Sequence, residues 1–249
     1  MELCFSLKRI AISSSLIIKC LAGYTAILVS VVTFPNVFSE DRHARAKVLM
    51  GFFLVLFWCL GFGLLSYYQR DRVKRVFNAI NIPWQIKFIV FAIGLAMLEE
   101  VVTTALTNAA PLLGSETGKA MITASTNYAE VVFFNSVWPV FVPWILAWSC
   151  LLSRYAFPPN HVLLLFGLLG TIAETHFGMG ALIAGFWFFV YGLMVYLPAY
   201  CLPDRKTVPL RWWHYPLAVV LPIAFMFPWA LIYGLVVHNL LGYDLICVS

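Results

Sequence analysis

From His161 to Cys201 the chain runs 41 residues without a Lys, an Arg or an Asp. One helix needs about 20 apolar residues to cross the hydrocarbon of a bilayer. The stretch is twice that length, so it predicts two helices joined by a tight turn, placed at Gly178-Met179-Gly180. Comparable runs lie at about Ile10–Phe34, Val48–Tyr68, Phe88–Asn108, Tyr128–Leu152 and Pro216–His238. The fourth and last carry internal prolines (Pro139 and Pro143; Pro222 and Pro228), which kink or break a helix by removing an N–H donor. Only 11% of the residues are charged and 62% are hydrophobic, against about 25% charged in soluble domains. A water-soluble fold of this length has nowhere to hide so much apolar surface. The expectation is an all-α, polytopic integral membrane protein with seven spans, residues 1–249 forming one transmembrane domain. The first span follows Lys8 and Arg9 much as a signal peptide would, but Lys19 interrupts it and no small-x-small cleavage site follows, so it reads as an uncleaved anchor.

Orientation follows from Lys and Arg, which cytoplasmic loops retain. The N-terminus and the even-numbered loops hold Lys8, Arg9, Arg70, Arg72, Lys74, Arg75, Lys87, Arg154, Arg205, Lys206 and Arg211. The opposite side holds Arg42, Arg45, Lys47 and Lys119. This bias predicts a cytoplasmic N-terminus and, after seven spans, a C-terminus outside. The net charge of +5 does not point to nucleic acid, because the cations sit in short clusters between apolar runs, where anionic headgroups meet them. Val73, Val76, Phe77 and Ile80 fall at i, i+3, i+4 and i+7 among Arg70, Arg72, Lys74 and Arg75. That spacing predicts a short basic helix near 70–82 lying in the interface, serving either to bind anionic lipid or a partner, or simply to fix topology. The expected partners are the bilayer itself and other membrane proteins, against which Trp138, Trp144, Trp148 and Trp187 are available to pack. The six cysteines are scattered, with no CxxC, and suggest neither a disulfide frame nor a zinc ribbon.

Ionisable groups inside a membrane are costly and mark function by default. Here they are Glu99, Glu100, Glu130, Glu174, His176 and His238. Glu100, Thr103, Thr104 and Thr107 lie at i, i+3, i+4 and i+7, a polar stripe on one face of the third helix. In the predicted topology all these groups fall in the outer half of the membrane. Three readings compete. Carboxylate and imidazole could activate a water, directly or on a divalent metal held by Glu130, Glu174, His176 and His238. They could carry protons or bind a solute in a transporter. Or the stripe only hydrogen-bonds neighbouring helices, in a non-catalytic subunit of a larger complex. The last span has no lysine for a retinal Schiff base, the chain has no CxxCH for covalent haem, and no Arg ladder marks a voltage sensor.

A Glu pair in a helix (Glu99-Glu100), a later His (His176), a Gly and Tyr four apart (Gly192, Tyr196) and a His-Asn (His238-Asn239) resemble the CAAX prenyl protease and bacteriocin-processing family of intramembrane proteases. The resemblance implies a membrane-embedded hydrolase with catalytic Glu99, Glu100, His176 and His238. One glutamate would be the base, and His176 would orient the water or stabilise the oxyanion. Thr103 and Thr104 stand where the family carries Arg, and Ile172 where it carries Phe.

Overall fold

The computed structural model describes residues 2–174 and 185–241. Among them the chain is all-α, with one isolated β-bridge between Tyr155 and Val208. Its helices are α1 (Glu2–Asn36), α2 (Arg42–Ala79), α3 (Trp84–Asn108), α4 (Tyr128–Arg154), α5 (Pro159–Glu174), α6 (Trp187–Tyr200) and α7 (His214–Leu241). Five of them, α1, α2, α3, α4 and α7, are long and apolar enough to cross a membrane. The long uncharged stretch supplies a helix on either side of its middle, as its length demanded. Of these, α6 has 14 residues, about 21 Å at 1.5 Å per residue, short of a bilayer core of about 30 Å, and α5 is described over Pro159–Glu174. Among the described residues, five helices of spanning length are present, against the seven spans expected. The turn placed at Gly178-Met179-Gly180 lies outside the described residues.

Local chemistry sets the helix ends. The Asp41 carboxylate accepts from the N–H groups of His43 and Ala44 and starts α2, an N-cap that satisfies otherwise orphaned donors. Those two donors, Ala44 foremost, hold Asp41 below the usual carboxylate range. From there α2 runs 38 residues without a break, widening to π-helix over Val55–Phe62. Residues 70–79 are its last turns, continuous with the apolar part. Lys87 closes that end, its ammonium donating to the carbonyls of Phe77 (2.7 Å) and Ile80 (3.0 Å). A cation there both occupies the free carbonyls and opposes the negative end of the helix dipole.

The break expected in the fourth span is present, slightly ahead of the prolines. Two π-helical stretches, Val131–Asn135 and Val137–Phe141, meet at Ser136 (φ −131°, ψ −68°). Pro139 has no N–H to give to the preceding turn, and the Ser136 carbonyl instead receives both Val140 and Phe141. Regular α-helix resumes at Val142, with Pro143 in the first turn, where the missing donor costs nothing.

The core centres on α6, which packs most extensively on α5 and then on α3. Glycine makes the α5–α6 approach possible. A Cβ on Gly167 would lie 2.3 Å from the Phe188 carbonyl oxygen, and one on Gly192 2.6 Å from that of Leu163. The outermost helices are different. In α1 and α7 only 6% of the apolar window is buried, against 56% in α4. Phe227 and Leu231 are each 71% exposed, a surface that hydrocarbon wets at no cost and water does not.

Candidate functional site

Glu99 and Glu100 lie on the buried side of α3, 4% and 6% exposed, and the stripe continues as buried Thr103, Thr104 and Thr107. The stripe thus faces protein, which is where a polar helix face must go when the surroundings are apolar. Helix α3 packs on α6, α4 and α2. The Thr103 hydroxyl donates to Glu100 Oε2 at 3.1 Å; Ser136, at the break in α4, lies near Glu100 and donates its hydroxyl to the Val131 carbonyl at 3.1 Å. The Thr103 hydroxyl thus orients the Glu100 carboxylate.

Glu174, the last residue of α5, joins them from another direction. It is close enough to act electrostatically on both Glu99 and Glu100, and its Oε1 accepts a short hydrogen bond from the Tyr191 hydroxyl on α6. Tyr191 is 8% exposed, and its ring packs on Phe141 (centroids 5.6 Å apart) and Trp187 (5.8 Å). The side chain can lie there because α5 has no Cβ at Gly170, where one would fall 2.1 Å from Tyr191 Cγ. Cys59, in the wide turn of α2, is within electrostatic reach of Glu99. That turn is tied to α6 by the Trp58 indole, which donates to the Val190 carbonyl at 3.0 Å. Tyr128 lies near Glu100 and donates to the Met97 carbonyl at 3.1 Å.

Three carboxylates from two helices and a tyrosine from a third therefore share one interior region. Among the described residues no Lys or Arg pairs with any of them. Nor, among those residues, is any group of three or more His, Cys, Asp and Glu arranged to hold a metal ion. Glu130 takes no part in these contacts. It is exposed, and its carboxylate receives the Ser125 hydroxyl (2.6 Å) and the Asn127 amide (3.5 Å) at the start of α4. His176 lies outside the described residues, as does the side chain of His238, whose backbone belongs to α7.

Tyr191 and Ser136 are the partners that sequence reading missed. The signal for Tyr191 was the same uncharged stretch. A half-buried Glu174 beside other carboxylates needs a donor, and Tyr191 is one of few polar side chains in reach of the α5–α6 pair. Ser136 had a weaker signal, being a small polar residue just before a helix-breaking proline. No protein-family model, no curated protein and no solved structure matches this chain.

Proposed function

We propose that the chain is an integral membrane protein whose buried carboxylate cluster is a water-activating, protease-like hydrolase site. The observation that supports this reading is the convergence of Glu99, Glu100 and Glu174 with Tyr191 in the helical interior. Packed side chains alone do not call for such a gathering, since carboxylates are the groups that interiors least tolerate without a counter-charge. In this reading Glu100, oriented by Thr103, takes a proton from water as the water oxygen attacks a peptide carbonyl. The same proton then passes to the departing amine, so that the amide C–N bond breaks and the base is regenerated. Tyr191 fixes Glu174, and His176, two residues further along the chain, has the role of steadying the oxyanion. That role, and membership of the CAAX protease group, come from the motif resemblance described above.

Proton or cation handling is the second reading, and the specific observation favouring it is that, among the described residues, no Lys or Arg pairs with these carboxylates. Both are tested on purified protein in liposomes. Cleavage of membrane-inserted peptides without proton flux supports the hydrolase. Proton or cation flux without cleavage overturns it in favour of transport.

The proposed orientation has the N-terminus in the cytoplasm and the C-terminus outside. A reporter fused after Ser249 is expected to report the outside, and one inserted between Arg70 and Ile82 the cytoplasm. Both reporting the same side would require an odd number of crossings to be lost from the five proposed between the two reporters.

A further inference from the structure

We propose that the end of the bundle formed by the last turns of α2, the start of α3 and the α6–α7 connection is a binding surface for anionic phospholipid headgroups. Packing, and not sequence alone, assembles it. Arg70 lies over two rings, 4.2 Å from the centroid of Tyr67 and 5.1 Å from that of Tyr200, and Lys74 lies 5.5 Å from the same Tyr200 centroid. Arg205, from the α6–α7 connection, covers the Trp84 ring at 4.8 Å, joining a third segment to the surface. Nine lysines and arginines, at positions 70–87, 154 and 205–211, gather at this end, against two acidic residues, Asp71 and Asp204. Asp71 is already engaged, accepting the Tyr200 hydroxyl at 2.7 Å. The only side-chain ion pair among the described residues, Arg42–Glu116, is elsewhere, at the start of α2.

Like charges held together on shared aromatic rings without carboxylate partners repel one another, and an external anion relieves that repulsion. The aromatic setting selects which anion. Trp212 is 81% exposed, Trp213 40% and Tyr68 77%, and exposed amphipathic rings beside cations are the pattern of a protein at headgroup depth. The five apolar helices of spanning length bring this end to such a depth, and a lipid phosphate supplies the charge. A soluble phosphate ester would answer the cations but leave the indoles in water.

The test uses full-length protein in nanodiscs of mixed phosphatidylcholine and phosphatidylglycerol, with bound lipid counted by native mass spectrometry. R70Q/K74Q is expected to lower phosphatidylglycerol retention on the order of tenfold, with phosphatidylcholine retention and melting temperature unchanged. The charge-keeping R70K/K74R should retain the lipid, and K47Q/K119Q, which removes two cations from the opposite side, should also retain it. Wild-type retention by R70Q/K74Q, or an equal loss in K47Q/K119Q, overturns the proposal. In a second arm, inorganic phosphate and glycerophosphoglycerol are added to protein in detergent. Stabilisation by either soluble anion as large as that by phosphatidylglycerol would assign the surface to a free phosphate and overturn the lipid.

Discussion

Gly170→Ala is expected to lower the stability of the protein by about 3 kcal/mol, at the upper end of what overpacking costs. The new methyl group would lie 2.1, 2.2 and 2.7 Å from Cγ, Cδ2 and Cβ of Tyr191. Those atoms are near the root of the side chain, so no rotamer change clears them and α6 itself must move away from α5. The displacement would also carry the Tyr191 hydroxyl away from Glu174. Gly94→Ala is the matched control, because a Cβ at Gly94 meets nothing within 4 Å. There the better helix former should add up to about 1 kcal/mol. Thermal unfolding in detergent, followed by helical circular dichroism, checks both. Equal melting temperatures for the two variants would mean that α5 and α6 are not packed as described.

Glu100→Gln is expected to reduce peptide hydrolysis by about 10²–10⁴-fold, the usual contribution of a general base, with little change in KM. Glutamine keeps the shape of the side chain and can still accept the Thr103 hydroxyl, which donates to Glu100 at 3.1 Å, so the loss would be chemical and not structural. Glu116→Gln breaks only the exposed ion pair with Arg42 and should leave turnover unchanged. The readout is kcat of purified variants in liposomes at matched folded fraction. Full activity in Glu100→Gln would remove this residue from the role of base and with it the hydrolase reading built on it.

Much of this architecture was legible because a membrane leaves a chain few choices. Backbone groups with no water available must be satisfied within helices, so apolar runs of sufficient length translate directly into helix, and Trp84–Asn108 follows the expected third span closely. The inward face of the Glu100–Thr107 stripe was equally readable from its 3.6-residue spacing. Three features were not. The start of α6 at Trp187, which leaves it 14 residues long, follows from nothing in the apolar composition. The continuity of α2 through Ala79 was hidden because charge at Arg70–Arg75 marks the end of an apolar segment, not of a helix. The partners of the polar stripe depend on glycine-mediated contact between α5 and α6, which a single-helix periodicity cannot report. The two histidines assigned to the site, His176 and the side chain of His238, lie outside the described residues.

The unbroken α2 has a mechanical consequence. Its 38 residues make a rod of about 57 Å. Tilted by about 40°, near the limit seen for membrane helices, such a rod still projects about 44 Å along the normal, against hydrocarbon of about 30 Å. In a bilayer, at least two turns therefore stand clear of the acyl chains at any ordinary tilt. The basic end, which carries Arg70 and Lys74, is held by its neighbours: Asp71 accepts the Tyr200 hydroxyl of α6, and Lys87 of α3 donates to the Phe77 and Ile80 carbonyls. A lateral force on that end thus passes directly to α3, which carries Glu99 and Glu100, and to α6, which carries Tyr191.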